Sequence, residues 1–215
     1  MTRTTDKTPR RPAPAASRAR RKRDDEVVAA AAKVFYERGY SAATVQDIAD
    51  ELGILKGSLY HYIKTKEDLL FRLFEQVHKG VEAILEDVLA IEGLNPLERI
   101  ELYVHRQIVN NLNDLTRISI YYHELDRLSE ERRRSVIAWR RRHDRFMRDL
   151  IRQAQEQGLA DASVDAGMLA NCVFATVIWP YRWFHAGSKD TPESIADTCT
   201  AFVSRGLVGG FPLAG

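Results

Sequence analysis

The sequence predicts an all-α fold, and three features of the 215-residue chain support that prediction. Apolar residues recur every three or four positions from residue 24 to about residue 207, which is the spacing of one face of an α-helix. Residues that cap helix N-termini, such as Thr44, Asn95, Ser129 and Thr191, stand just before these apolar stripes. No segment alternates between apolar and polar residues with the period of a half-buried strand.

The first helix is predicted over residues 24–38. Three acidic residues, Asp24, Asp25 and Glu26, lie at its N-terminus, where the helix dipole favours negative charge. Gly39 follows the last helical residue and ends the pattern. The apolar face consists of Val27, Val28, Ala31, Val34 and Phe35.

Residues 44–63 predict two short helices joined by a tight turn. Thr44 is placed as an N-cap, with Asp47 three positions later as in a capping box. Gly53 can adopt the left-handed conformation that ends the first of the two helices. The second, Leu55–Ile63, is expected to bury Leu59 and Ile63. Its outward residues are Lys56, Ser58, Tyr60, His61 and Tyr62. This arrangement is typical of a helix-turn-helix that enters a DNA groove.

Six further helices complete the prediction. A helix from Thr65 to about Ile91 is long enough to bridge two domains, and Asn95 followed by Pro96 begins the next one. The mostly apolar helix from Asp165 to Ala186 should be buried on several sides and kinked at Pro180. The predicted ranges of the six are 65–91, 96–112, 115–127, 130–157, 165–186 and 192–207.

Charge is distributed unevenly along the chain. Residues 1–23 hold nine Lys or Arg and one acid, whereas the rest is net acidic. Because this segment has few large apolar side chains, we expect a disordered basic arm that either contacts DNA phosphates or serves only as a solubilising leader. The predicted domains are this arm at 1–23, a DNA-binding domain at 24–72 and a ligand-binding and dimerisation domain at 73–215.

The helix-turn-helix residues resemble a known family. Ala49, Gly53, Lys56-Gly57, Leu59-Tyr60-His61-Tyr62 and Lys66-Glu67-Asp68-Leu69-Leu70 look like the N-terminal signature of TetR-type transcriptional regulators. The resemblance implies a homodimer that binds a double-stranded, near-palindromic DNA operator and releases it when a small-molecule effector binds. By the same resemblance, Thr44, Tyr60, His61 and Lys66 contact phosphates, and Lys56, Gly57 and Ser58 meet base edges.

A second resemblance concerns the effector. The segment from Trp183 to Gly187, followed by a helix leading to Arg205, is similar to TetR-type regulators that sense acyl-CoA thioesters, in particular the actinobacterial regulators of cholesterol catabolism. Arg182 lies in an apolar helix and needs an anionic partner, either Glu124 or a ligand. The predicted ligand-binding residues are Tyr122, Trp179, Arg182 and Trp183. The arginine-rich helix at 130–157 either meets CoA phosphates or is a solvated face.

Several classes of function do not fit the sequence. It has no Walker loop and no zinc-protease helix, and Cys172 and Cys199 lack the spacing of metal ligands. These cysteines are expected to be buried free thiols. We therefore predict a cytoplasmic protein that is not an enzyme, has no cofactor or metal and does not enter a membrane. Two alternatives remain: a regulator that senses cationic drugs, and a DNA-binding protein without an effector.

Overall fold

The computed structural model describes residues 15–209 and confirms the all-α prediction, since this part of the chain contains no strand. Within this range no helix has the length and the apolar composition needed to span a membrane. Two short 3-10 helices lie at Leu125–Arg127 and Trp179–Arg182. The α-helices are α1 (Ala15–Arg38), α2 (Val45–Glu51), α3 (Lys56–Leu59), α4 (Lys66–Ala90), α5 (Pro96–Asn113), α6 (Leu115–His123), α7 (Glu130–Glu156), α8 (Ala166–Ile178) and α9 (Pro192–Val208).

Helix α1 begins nine residues earlier than the sequence prediction. It starts at Ala15, so residues 15–23 are helical, and the expected disorder of residues 1–23 is wrong for that part. Alanine, arginine and lysine, which dominate this stretch, are strong helix formers. An ion pair between Arg23 and Glu26, at 2.8 Å, connects this added helical segment to the first turn of the predicted helix. The part of the predicted arm at 1–14 lies outside the described residues.

The N-terminal core joins α1 to α4. Val27, Val28 and Phe35 of α1 pack with Ile48 of α2 and Leu59 of α3, and all five side chains are buried. The first half of α4 closes this core, as does a patch from α6 and α7 that includes Tyr121 and Val136. The DNA-binding domain therefore shares a continuous apolar cluster with the C-terminal helices rather than standing apart from them.

The C-terminal core is built around α5. This helix packs mainly on α9, and also on α7, α4 and α8. Its buried face includes Ile100, Val104 and Ile108, which meet Ile151 of α7 and Val173 of α8. Because α4 contributes Leu73 and Phe74 to the N-terminal core and Val88 to this one, α4 is the bridge between domains that the sequence predicted.

Three predicted helices are shorter in the structure. Helix α3 has only four residues, and Tyr60–Tyr62 form a turn, in keeping with the modest helix propensity of tyrosine and histidine. Helix α6 ends at His123, before the first 3-10 helix. Helix α8 ends at Ile178 and is not kinked: Pro180 has no N–H to continue it, so the chain enters the second 3-10 helix.

Candidate functional site

The helix-turn-helix has the geometry that its sequence predicted. Thr44 forms a capping box with Asp47: the Thr44 side chain accepts from the Asp47 N–H at 3.1 Å, and the Thr44 N–H donates to the Asp47 carboxylate at 2.8 Å. Gly53 has φ = 63°, a conformation that side chains other than glycine rarely adopt. Leu59 is fully buried, so its position fixes which side of α3 faces outward.

The outward side of α3 presents most of the predicted DNA-binding residues. Lys56, Gly57, Tyr60 and His61 are exposed, and Ser58 is half-buried. An added Cβ at Gly57 would meet no other atom, so the fold itself does not require glycine there. Leu55, the residue before α3, is 80% exposed. Sequence reasoning missed it, although a large apolar side chain at the start of a recognition helix is a signal for contact with a thymine methyl.

The Lys66 ammonium group has more contacts within the protein than a free phosphate-binding cation would have. Its Nζ donates to the backbone carbonyls of Tyr40 at 2.7 Å and Ala43 at 2.8 Å, and lies 4.4 Å from the centroid of the Tyr40 ring. Burial lowers the pKa of this ammonium group. Because two of its three N–H donors are occupied, Lys66 primarily ties the start of α4 to the loop before α2, and a phosphate contact through the third N–H stays a prediction.

A cavity of about 260 Å³ lies between α4, α5, α6, α7 and α8. Its wall is mostly apolar and aromatic, with a few polar groups, as is typical of small-molecule sites. Of the predicted ligand-binding residues, Tyr122 lines this cavity. The complete lining is Val77, Val81, Tyr103, Gln107, Asn111, Ile118, Tyr121, Tyr122, Arg140, His143, Asp144, Phe174, Val177 and Ile178.

The cationic residue of the cavity is Arg140 rather than the predicted Arg182. The Arg140 guanidinium donates to the Tyr121 hydroxyl at 3.2 Å and to the Tyr121 carbonyl at 3.1 Å, and lies 4.6 Å from the ring centroid. The sequence did carry a signal: Arg140 is four residues after Val136 and three before His143, so it lies on the apolar face of α7. Burial raises the pKa of Tyr122, so this hydroxyl stays neutral.

Two histidines beside the cavity are neutral at physiological pH. His78 stacks on Trp139, with ring centroids 4.6 Å apart, and lies 5.0 Å from His143, which lines the cavity. Burial, together with the positive charge of Arg142, lowers the pKa of both histidines to about 4. They therefore act as aromatic packing groups in this wall and add no charge to it.

The other predicted ligand-binding residues lie outside this cavity, so their role in effector binding stays a prediction. Trp179 and Trp183 are 63% and 48% exposed. Arg182 is exposed and its Nη1 lies 2.7 Å from Nε2 of His123, so it is not a buried cation and does not pair with Glu124. The sequence analysis expected these residues to be buried because it placed them in α8. The helix ends at Ile178, so the residues after it do not continue its buried face. Cys172 on α8 is also exposed, against the expectation of a buried thiol.

A polar latch connects the C-terminal domain to the start of α4. Arg132 of α7 forms ion pairs with Asp68 and, at 3.4 Å, with Glu67, while the Ser129 N–H donates to Glu67 at 2.9 Å. Burial raises the pKa of Asp68, but hydrogen bonds from Arg132 and from the backbone N–H groups of Thr65 and Lys64 outweigh it and lower the pKa to about 2. Asp68 also caps α4, so the latch acts directly on the domain that carries the helix-turn-helix.

The exposed side of α7 is basic. Asp144 lines the cavity and pairs with Arg148 at 3.0 Å. Arg141 lies one turn before Asp144 on α7, and Arg145 follows it. Both are exposed, and neither has an ion pair or hydrogen bond within residues 15–209. These two guanidinium groups are therefore available to an anion on the exposed side of α7.

A helix-turn-helix joined through a shared core to a domain with an internal cavity defines a ligand-responsive DNA-binding regulator. Two family models match the chain: "Bacterial regulatory proteins, tetR family" over residues 27–73, and "Tetracyclin repressor-like, C-terminal domain" over residues 93–207. The chain belongs to the TetR family. It is a TetR-type transcriptional repressor rather than an enzyme, as the sequence predicted.

Individual relatives agree with this assignment. The transcriptional repressor KstR2 of Mycobacterium tuberculosis is 31% identical over 186 residues, which cover 86% of this chain and 92% of that protein. The solved structure of the ketosteroid regulator KstR2 of Mycobacterium tuberculosis has a TM-score of 0.80 at 28% identity, over 87% of this chain and 96% of that one. AibR, solved in complex with isovaleryl coenzyme A and operator DNA, has a TM-score of 0.77 at 29% identity, over 88% and 100% of the two chains.

Proposed function

We propose that this protein binds an operator as a homodimer in the cytoplasm and releases it when an acyl-CoA thioester occupies the cavity. The observation that carries the proposal is a mostly apolar cavity whose wall includes Arg140 of α7, the helix whose exposed side carries the unpaired Arg141 and Arg145. Residues 24–72 are assigned to DNA and residues 73–215 to the effector and the second subunit. The proposed operator contacts are Thr44, Lys56, Gly57, Ser58, Tyr60 and His61, together with the third N–H of Lys66.

The lining of the cavity indicates which part of a thioester enters it. The wall is mostly apolar, so the acyl group fits there better than the polar nucleotide of the coenzyme. The nucleotide and its phosphates are then proposed to lie outside, along the exposed side of α7, where Arg141 and Arg145 provide positive charge.

AibR supports the same class of effector, because its structure holds isovaleryl coenzyme A together with operator DNA. The alternative of a cationic drug is less well supported. Glu124 and Asp126, the acids that the sequence offered for it, pair with Arg127 and Arg133 and do not line the cavity. Arg140 and Asp144 do line it. Because Asp144 already pairs with Arg148 at 3.0 Å, the charge of the Arg140 guanidinium disfavours a cation there.

The effector assignment predicts a selective response to thioesters. Short acyl-CoA thioesters, but neither cationic dyes nor the free acids, should release the operator and raise the melting temperature. A ligand at a hundredfold excess over Kd stabilises the folded state by about 2.7 kcal/mol. Replacing both Arg141 and Arg145 with glutamine should weaken the response about tenfold or more, because two phosphate contacts are lost.

The matched control is Arg152→Gln, since Arg152 is also exposed on α7 but pairs with Asp149. Operator release and thermal shift are measured for each variant with hexanoyl-CoA. A response to dyes alone, or an unchanged thioester response in the double variant, would contradict the assignment.

The proposed dimer uses the exposed side of α8 and α9. Met168, Cys172 and Ala175 follow each other at helical spacing on the exposed side of α8, and Trp179 extends this row. On α9 the large exposed apolar residue is Phe202. A row of apolar residues of this size is characteristic of a protein-protein interface. A second copy of the chain is the proposed partner, because two recognition helices must meet successive major grooves about 34–36 Å apart.

The dimer is expected to depend on Trp179 and Phe202. In light scattering after gel filtration, the parent should have twice the mass of one chain. The variant Trp179→Asp/Phe202→Asp should have the mass of a single chain and lose cooperative operator binding, since two buried charges oppose association. Leu89→Asp, at an exposed apolar residue of α4, is the control and should remain dimeric. A monomeric parent would contradict the proposal.

A further inference from the structure

The α5 wall of the cavity contains two amide side chains in apolar surroundings. Gln107 and Asn111 lie four residues apart on α5, and they are 3% and 2% exposed. Around them are Tyr103, Ile118 and Val177, which are also buried. Primary amides carry donors and acceptors on separate atoms, and buried polar atoms are nearly always paired. The direction in which each amide points therefore matters for what the cavity binds.

Hydrogen bonds determine both directions. Nδ2 of Asn111 donates to the Val177 carbonyl at 3.3 Å, and a carbonyl can only accept. Asn111 must therefore turn its Oδ1 toward Gln107, whose Nε2 donates to it at 2.7 Å. Turning the Gln107 amide over would place oxygen against oxygen. The two hydrogen bonds therefore have the same direction: Gln107 donates to Asn111, and Asn111 donates to the last turn of α8.

The oxygen of Gln107 is left without a partner. Oε1 is buried, and no group in the described part of the chain donates to it. A buried amide oxygen without a donor is unfavourable. Since the residue lines the cavity, a bound molecule can supply the missing donor.

We propose that the acyl group of the effector carries a hydroxyl that donates a hydrogen bond to Oε1 of Gln107. This inference rests on the acyl-CoA effector proposed above and narrows it to hydroxyacyl thioesters. A keto oxygen at the same place would face the Gln107 oxygen without a hydrogen between them. A plain alkyl chain would leave the oxygen unpaired and would remove it from any water. Gln107 is therefore a specificity-determining residue.

The test compares five thioesters of matched length: hexanoyl-CoA, 5-oxohexanoyl-CoA, and the three isomers of hydroxyhexanoyl-CoA with the hydroxyl at position 4, 5 or 6. Operator release is titrated with each, using the full-length protein. We expect at least one hydroxyl isomer to act at a concentration about tenfold or more below that of hexanoyl-CoA and 5-oxohexanoyl-CoA, because a site with a buried hydrogen-bonding group discriminates against ligands that lack the partner.

Gln107→Met removes the acceptor at similar size and should abolish this preference, while Ile118→Val, an apolar change in the same wall, should keep it. Circular dichroism and thermal unfolding establish whether the variants fold. If Gln107→Met does not fold, the titrations of the parent protein with the five thioesters decide the outcome. Equal potency of all thioesters on the parent would overturn the inference but leave the effector class standing. If no thioester releases the operator, the proposed function itself has failed.

Discussion

Replacing Lys66 with methionine is expected to lower the free energy of unfolding by about 2–4 kcal/mol and to abolish operator binding. The ammonium group donates to two backbone carbonyls, and leaving a buried acceptor unpaired costs about 1–3 kcal/mol. Methionine keeps the apolar stem, so the loss reports the hydrogen bonds. Since the carbonyl of Ala43 precedes the cap of α2, the loosened loop would also displace the helix-turn-helix. Urea unfolding and operator titration measure the two effects.

Lys64→Met is the matched control. Lys64 is exposed two residues earlier, and its side chain has no hydrogen bond or ion pair within residues 15–209. Its removal should change stability by less than about 0.5 kcal/mol. If Lys66→Met instead keeps full stability and only lowers the salt dependence of binding by about one counterion, Lys66 is a free phosphate-binding cation, as the sequence analysis predicted.

Arg132→Gln is expected to separate effector binding from operator release. Helix α7 forms one wall of the cavity. Its Arg132 side chain forms ion pairs with Asp68 and Glu67 at the start of α4. The variant should bind hexanoyl-CoA and operator separately with affinities close to those of the parent. The coupling between them, for which factors of about 5–150 are common, should fall toward one. Titrating the effector with and without operator measures this factor directly.

Arg134→Gln controls for the loss of a charge from α7. Arg134 is exposed and pairs with Glu130 inside its own helix, so its replacement leaves the link to α4 intact. The control should retain the coupling of the parent. If Arg132→Gln also retains it, the signal reaches the DNA-binding domain through the shared apolar core around Phe74 and Tyr121 instead of through the polar latch.

The DNA-binding half was the more predictable part of the molecule. Its signals are local: Thr44 and Asp47 cap α2 across three residues, Gly53 sets one backbone conformation, and Leu59 fixes the face of α3. Each depends on neighbours in the sequence, and helical periodicity gives the direction of the side chains. Most of the boundaries of α4, α5, α7 and α9 also followed from caps and periodicity.

The effector site depended on contacts between residues far apart in the chain. Arg182 appeared to be the buried cation because it follows an apolar helix, yet α8 ends at Ile178 and exposes it. Arg140 lines the cavity because α7 packs on α5 and α8, and periodicity alone does not say which neighbour a helical face meets. Gln107 acquires its free oxygen only through Asn111 and the carbonyl of Val177, which is 66 residues further along.

The sequence by itself therefore determined the all-α class, the helix-turn-helix and the family. Caps, turns and apolar helical faces depend on residues that are close together in the sequence. Only the tertiary structure decided that Lys66 holds the loop before α2, that Arg132 latches α7 to α4, and which polar groups enter the cavity. These features depend on the packing of helices against one another. That packing places side chains together that no spacing along the chain relates.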